Sequence, residues 1–517
     1  MFRSSSLTFL AGTCLISTPA LAVTAMDARS LGMGNAATAV ANDANSPSWN
    51  PAGLSQGNGF FYLPTQFGIR LGNNAVGISE VSALNTTLTS IQDYQKDPTK
   101  NPLPKVPDFI KDGDFRLGGN VDLGLFGVSF PIPTPFKDQG KANVGLSVWG
   151  KVNGETRFQA GDFLDAVGNA YDSFNGTDKK IAVRLATIQS EFGKNDVNIG
   201  TIKDEVNGVI TDLDSGMGDL LNSKDKKAEV SLDAGAYITT VLTASHQIKP
   251  PKLPFFPNAR FSVGTNLKVF SALDPFSMGG SAPTLPFGDK TETVGLPETI
   301  RIQAKGNFGT AYANLRNQVQ SFAANPTPEK FSDFSSASQQ LVKDIPVEMD
   351  VTTTKASSTG FGCDLGAMAQ LDDRLTVGAT LVNPLVFWPA TQTVRHTTWD
   401  GATSKFTDSP SKAESVTYRD TEPLAIRMGA SYKALLGIRL AADLEQEFSD
   451  IPPALRLGGE WGLGPVALRA GTQIGGENNS LNLGLGLNMW ALKMNLGAGV
   501  DPGFKAAAAA LSGSLSF

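Results

Sequence analysis

Gly32-Met33-Gly34-Asn35-Ala36-Ala37 carries the G-x-G-x-x-G/A spacing of a turn that cradles a dinucleotide pyrophosphate. That chemistry needs a buried strand before the turn, a helix after it and an acid about 20 positions on. Val23 to Ser30 is polar, and the next acid, Asp43, lies only six residues past Ala37. The cofactor reading fails, and no cofactor is expected. Histidine is represented by His246 and His396 alone. His246 falls near one end of a candidate strand and His396 in a long loop on the opposite side, so a shared zinc site is not expected, and no cysteine pair is at hand to supply sulfur. Ser245-His246 are neighbours, which on a strand point to opposite faces, the wrong arrangement for a nucleophile and its base. Asp212, Asp214 and Asp219 surround Gly216 and Gly218 but lack the fifth-position acid and distal Glu of a calcium loop. Neither a metal site nor an enzymatic constellation is predicted.

The 517-residue chain opens with a basic residue, Arg3, a short apolar core from Leu7 to Ile16, and Pro19-Ala20-Leu21-Ala22. This pattern predicts a secretory signal over 1–22, cleaved after Ala22. Cys14 sits inside the apolar core with Thr13 before it, which disfavours a lipoprotein signal. Removing Arg3 takes the formal charge from −6 to −7 and leaves Cys363 as the single cysteine, so no intrachain disulfide can form. Mild acidity without a basic cluster argues against nucleic acid as a partner. No mature segment has the ~18 apolar residues of a membrane helix, a test that a membrane β-barrel never passes.

The elements behind these residues are strands. Leu481, Leu483, Leu485, Leu487 and Met489 alternate with Asn482, Gly484, Gly486 and Asn488, and the same period of two recurs at Leu492–Ala498 and Ile438–Leu444. Candidate strands fall near 60–71, 117–130, 143–156, 229–246, 260–272, 347–371, 374–395, 414–433, 437–449, 454–463, 465–474, 479–490, 491–501 and 506–517, fourteen in all. Counted back from Phe517, every long insertion (72–116, 157–228, 273–346 and 396–413) falls on one side. Shorter connections fall on the other. Short turns on one face and long loops on the other, with an even strand count, are the asymmetry of an outer-membrane barrel. Within the insertions, Phe163–Phe174, Ile181–Phe192, Ile202–Leu213 and Tyr312–Phe322 carry helical spacing, and Thr327-Pro328 reads as the start of a further helix with Phe331, Phe334 and Leu341 on its apolar side. These helices are expected to pack over the barrel mouth.

Ahead of the first strand, Gly32 and Gly34 permit close approach and positive φ. Ala36, Ala37, Ala39, Val40 and Ala41 are small, and Asn50-Pro51 reads as a helix cap followed by proline at the first helical position. Residues 23–58 are therefore expected to form a compact plug, with 59–517 as the barrel and helical insertions at about 157–228 and 273–346.

The stretch ARSLGMGNAATAVANDANSPSWNPAGL, from Ala28 to Leu54, resembles the N-terminal signature of the FadL-like outer-membrane superfamily. That group covers long-chain fatty-acid and aromatic-hydrocarbon transporters, PorV-type secretion barrels and TraF-like barrels. The resemblance rests on the Gly32-x-Gly34 turn, the small-residue run, Asp43-Ala44 and Asn50-Pro51-Ala52. It implies an all-β fold, a transmembrane antiparallel barrel of about fourteen strands with an N-terminal hatch, in the bacterial outer membrane. Gly32, Gly34, Asp43, Asn50, Pro51 and Ala52 become candidate hatch and ligand-gating residues. Phe517 resembles the C-terminal signal read by the barrel-assembly machinery. The implied function is passive transport of hydrophobic small molecules such as long-chain fatty acids or hydrocarbons, with outer-membrane lipid as the surroundings. The alternative is a TraF-like or PorV-like barrel serving as a subunit or scaffold in conjugation or secretion.

Overall fold

The structure is a computed structural model. It describes residues 27–517 apart from 74–113, 134–139, 160–179, 223–227, 249–255, 274–283, 333–346, 401–404, 419–422 and a few shorter stretches. The expected signal over 1–22 and the helices expected at 163–174 and 331–341 lie outside the described residues, except for a first turn at 328–330 capped by Thr327 Oγ1, 3.4 Å from the Lys330 N–H.

Strands β1 (Phe60–Tyr62), β2 (Gln66–Asn73), β3 (Asp114–Ile132), β4 (Ala142–Gln159), β5 (Ala228–Ile248) and β6 (Arg260–Ala272) open the barrel. Insertion strands β7 (Thr284–Phe287), β8 (Lys290–Thr293) and β9 (Glu298–Gly306) come next. Then follow β10 (Val347–Ala356), β11 (Thr359–Gln370), β12 (Leu375–Phe387), β13 (Pro389–Asp400), β14 (Lys405–Asp408) and β15 (Lys412–Thr417). The chain ends with β16 (Ala425–Lys433), β17 (Ile438–Glu447), β18 (Ala454–Leu463), β19 (Val466–Gly475), β20 (Ser480–Met489), β21 (Leu492–Val500) and β22 (Ala506–Ser516). β1 and β2 act as one interrupted strand. The wall then runs β2, β3, β4, β5, β6, β11, β12, β16 and on through β22, which pairs back with β1 and β2. This is a closed antiparallel barrel of fourteen strands, and closure leaves no free edge to hydrogen-bond with lipid.

The outward parity is apolar and exposed: Leu481, Leu483 and Leu485 are 56%, 69% and 49% accessible, with Leu496 and Leu511 alike. In water such a surface would aggregate; in a bilayer it is the lipid-facing band, flanked on the short-turn side by exposed Trp461 and Trp490. The fold is therefore that of a bacterial outer-membrane barrel. Among the described residues no helix is long and apolar enough to cross a membrane.

Several strands outrun the ~10 residues a tilted crossing needs. β5 has 21, and its upper part leaves β6 to pair with β9, which continues through β10 and β13 to β15. This second sheet stands above the membrane. The insertions expected to be helical or looped at 273–346 and 396–413 therefore also hold strands, and His396 lies on β13, its Nδ1 2.6 Å from Asp350, rather than in a loop. Helices do form where the spacing called for them, at Ile199–Asn222 and Phe308–Ala324. Ile202, Val206 and Val209 are buried on the first and Val319 and Phe322 on the second. Asp212 accepts from Arg184 Nε at 2.7 Å and Asp214 faces Arg316 at 3.6 Å, so those acids are ion-pair partners holding the helices.

Candidate functional site

The barrel's lower interior is filled by residues 27–59. Asp27 caps the first hatch helix, α1 (Ala28–Gly32), accepting the N–H groups of Arg29 (3.2 Å) and Ser30 (2.9 Å). The chain reverses through Gly34 and Asn35, both at positive φ (64° and 63°), a conformation glycine and asparagine tolerate. It then runs as small residues to α2 (Ser46–Trp49), and Asn50 starts a 3-10 helix over Pro51–Gln56. Asn50 is fully buried. Its Oδ1 accepts from the Ala52 N–H (3.1 Å), while Nδ2 donates to the carbonyls of Thr38 (3.1 Å) and Ala367 (3.0 Å) on β11. One side chain thus caps a helix, ties the hatch to itself and ties it to the wall.

The wall is shaped to receive this backbone. A Cβ on Gly471 would lie 2.3 Å from the Gly34 nitrogen, one on Gly458 2.3 Å from the Met33 carbonyl oxygen, and one on Gly264 2.4 Å from the Pro51 carbonyl carbon. Gly366, Gly378, Gly429, Gly484 and Gly497 are similarly close to hatch atoms. Glycine on the inward parity of successive strands makes a belt in which the hatch lies directly on the main chain of the wall, backbone to backbone at Gly264, Gly458, Gly471, Gly484 and Gly497. Gly32 belongs to the same contact, its missing Cβ facing Gly484.

On β17 the belt is replaced by Asp443, whose Oδ2 accepts the N–H groups of Ala37 and Thr38, each at 2.7 Å. Arg29 bridges Asp43 (2.8 Å) within the hatch and Glu460 (3.1 Å) on β18, and Glu460 also takes Arg469 (2.8 Å) and Arg439 (3.3 Å). Trp49 lies under two guanidinium groups, Arg427 at 5.2 Å and Arg456 at 5.8 Å from its ring centre, and both are paired with Glu445. Every candidate residue from Gly32 to Ala52 therefore lies in one buried body. Ser245 is drawn into the same assembly, its Oγ donating to the Ala52 carbonyl at 2.9 Å. Phe517 stands apart: its ring is exposed at the short-turn rim, and its N–H donates to the Gly59 carbonyl at 3.1 Å.

The lumen is polar on both sides of the hatch. Arg70, Glu447, Asn482 and Asp501 border a concavity of about 60 Å³ above it, and Asn42, Asp43, Gln56 and Lys493 one of about 150 Å³ below. A different surface lies higher on the β5–β12 side. Trp388 stacks on Phe270 at 5.1 Å, with Tyr237 and Tyr418 edge-on at 5.4 and 5.6 Å, and all four are buried. Gly360 and Gly362 on β11 leave room for the Trp388 and Phe270 rings.

Beside this cluster the wall is irregular. Among the described residues, β12 pairs with β16 from Leu375–Tyr432 to Val382–Ala425, and β13 pairs with β15 from Pro389–Thr417 upward. On the other flank the β11–β12 register slips between Cys363 and Leu365, and Asn383 takes a φ of 53°. A polar knot holds the slip. Asp364 accepts the Asn383 N–H (3.0 Å), Lys268 (2.8 Å) and Asn266 (2.7 Å), and Asn266 also donates to the hatch carbonyl of Pro47 (2.7 Å).

Sequence reasoning found the hatch but missed the glycine belt, the buried arginines and acids and the aromatic cluster. The belt and the charges were visible as Gly, Arg and Glu at the polar parity. Their partners in the hatch, hundreds of positions away, were not.

No protein family matches the chain, and no curated protein matches it. Among solved structures it is similar to the TodX monoaromatic hydrocarbon channel deltaS2 mutant, at 10% identity and a TM-score of 0.46 over 96% of this chain and 100% of that one. It is also similar to the Ralstonia pickettii toluene transporter TbuX (11%, 0.42, 96% and 99%) and to a Pseudomonas aeruginosa FadL homologue (11%, 0.41, 96% and 99%). At such identities the geometry of the chain itself has to carry its functional reading.

Proposed function

We propose that the protein is a passive outer-membrane transporter for hydrophobic small molecules, of the class of long-chain fatty acids or hydrocarbons. The observation that carries this reading is the buried aromatic cluster of Trp388, Phe270, Tyr237 and Tyr418, set in an otherwise polar lumen beside the slipped β11–β12 register. An apolar molecule gains little along a lumen lined by Arg70, Glu447 and Asp501, and gains by desolvation where these packed rings part to admit it. A route past these rings and sideways at the register slip between Cys363 and Leu365 avoids the polar axis. The hatch gates it, with Gly32, Gly34, Asp43, Asn50, Pro51 and Ala52 as the residues that seat it. The knot at Asp364, which touches both Pro47 and the slipped β12, gives hatch and wall a shared set of bonds. Phe517 serves as the assembly signal at the rim.

The test is mass spectrometry of molecules extracted from the detergent-purified barrel, paired with uptake of a radiolabelled long-chain fatty acid or toluene by cells producing Trp388→Ala. A co-purified apolar molecule, and uptake cut by roughly 10-fold for the loss of a stacked indole worth ~1 kcal/mol beyond its area burial, are expected. A barrel free of apolar molecules, with uptake indifferent to the variant, overturns the reading and leaves the docking-subunit alternative.

A further inference from the structure

The short turns between β16 and β21 are apolar at their tips. Ala434-Leu435-Leu436-Gly437, Leu463-Gly464-Pro465 and Met489-Trp490-Ala491 contain no charged residue. Leu435 and Leu436 are 73% and 84% exposed, and the Trp490 side chain is wholly exposed. The backbone works against this choice of residues. Gly464 opens its turn at a φ of 62°, as hairpin geometry favours, but Leu436 and Trp490 hold positive φ (60° and 48°) that glycine or asparagine would adopt more readily. At the opposite rim the β21–β22 turn does the same with Phe504, exposed at a φ of 58°. Neighbouring charged side chains on these strands, Lys433, Arg439, Glu460 and Lys493, lie on the lumen parity, because Tyr432, Leu440, Trp461 and Leu492 face outward.

Strand length says what covers these tips. On β18, β20 and β21 the apolar outward rows run from Leu455 to Leu463, Leu481 to Met489 and Leu492 to Val500, eight residue steps each. At ~3.4 Å per step and a tilt of ~40°, eight steps rise about 21 Å, short of an apolar band ~25 Å tall. Each row ends on its turn, so turn side chains have to supply the rest. β12 differs. From Leu375 to Phe387 it covers twelve steps, about 31 Å, and spans the band without its turn. That turn is Asp372-Asp373-Arg374, exposed and charged. Backbone N–H groups of Arg374 and Leu375 bond the Asp372 carboxylate and hold it below the usual carboxylate range, so it stays ionised at neutral pH.

We infer that Leu435, Leu436 and Trp490 anchor this arc of the rim in the periplasmic leaflet, at the boundary of headgroups and acyl chains, while the β11–β12 turn stands in water. Lipid is the occupant because the tips continue, with no charge between, the lipid-facing rows that end on them. Transfer of these side chains out of water offsets the unfavourable φ of Leu436 and Trp490. The barrel is thereby seated unevenly, deeper on the β16–β21 side. Whether anything is transported has no bearing on this anchoring.

Leu435→Cys, Ala491→Cys and Asp373→Cys, each in a Cys363→Ser background and labelled with an environment-sensitive fluorophore, are reconstituted in phosphatidylcholine vesicles. Quenching is compared between lipid brominated near the top of its acyl chains and iodide present on both sides of the membrane. Labels at Leu435 and Ala491 are expected to be quenched several-fold more by the brominated lipid than by iodide, and the label at Asp373 the reverse. Leu436→Asn with Trp490→Gly supplies residues suited to positive φ, so the barrel is expected to fold with an unchanged circular dichroism spectrum. In that variant the labels at Leu435 and Ala491 should become several-fold more open to iodide. Iodide quenching at Leu435 and Ala491 equal to that at Asp373 overturns the proposal. So does a double variant whose labels stay as lipid-quenched as before, since the tips would then not be the anchor. A dimer that the double variant dissociates, with both labels shielded from either quencher, makes a second copy the occupant and overturns it as well.

Discussion

Asn50 serves four backbone groups at once, the Ala52 N–H and the carbonyls of Thr38, Ala367 and Ala379, and their separation in the chain explains what could be read of it beforehand. Its bond to the Ala52 N–H is local, and the Asn-Pro pair announces it as a cap. Its bond to the Ala367 carbonyl joins residues 317 apart and leaves no local trace. Asn50→Ala strips the cap and leaves the buried Ala52 N–H and Thr38 carbonyl without this partner, a loss of about 1–3 kcal/mol per buried group left unmade. The barrel, closed by its own ladder, is expected to survive. Limited proteolysis should cut within 36–56 several-fold faster than in wild type, while far-ultraviolet circular dichroism stays unchanged. Asn50→Asp should be cut faster still, because a carboxylate keeps the cap to Ala52 yet sets a negative charge against the Thr38 and Ala367 carbonyls. Equal protease resistance of wild type and both variants would remove Asn50 from its role in seating the hatch.

At the scale of elements, eleven of the fourteen barrel strands were legible within a few residues because each separates lipid from lumen, and that contrast writes a period of two into the sequence. Where it ends, so did the legibility. β15, Lys412–Thr417, is exposed at nearly every position, with water on both sides and no alternation to show. The expected strands at 347–371, 374–395 and 414–433 are each two segments, because the chain runs on from the barrel into the upper sheet and changes partners near Ser357, Trp388 and Tyr418. The glycine belt was hidden for a related reason, since glycine at the lumen parity reads as one more small residue until the hatch is in place. A matched pair tests the belt. Gly471 and Gly459 sit on neighbouring strands, but a Cβ at 471 would strike Met33 and Gly34, whereas one at 459 meets nothing nearer than 3.8 Å. Gly471→Val is expected to assemble a barrel with an unseated hatch, exposed to protease and less stable by a few kcal/mol, as overpacking costs. Gly459→Val should behave as wild type. Similar behaviour of the two would mean that hatch and wall are not in close backbone contact.

The whole molecule sets a charged inner wall around a plug of mostly small apolar residues, whose Arg29, Trp49 and backbone N–H groups meet charges that water would otherwise solvate. Glu460 is shared by Arg29, Arg439 and Arg469, and removing Arg29 with the hatch leaves it the two wall arginines. Asp443 loses its two backbone donors, and Arg427 and Arg456 lose Trp49 while keeping Glu445. Wall charges remain paired among themselves, so deletion of residues 27–58 is expected to leave a barrel that closes through β1, β2 and β22. Its lumen, freed of the plug and lined by these groups, should fill with water and conduct. On β16–β19 the inward cations Arg427, Arg439, Arg456 and Arg469 stand against Asp443, Glu445, Glu447 and Glu460, four against four. Near-balanced charge predicts weak ion selectivity, with a reversal potential close to zero under a potassium chloride gradient. In planar bilayers the intact protein should show little current and the deletion discrete, long-lived steps. If the deleted barrel is equally silent, the hatch is not what closes the lumen, and the residues above it, from Arg70 and Glu447 to the aromatic cluster, must seal the barrel by themselves.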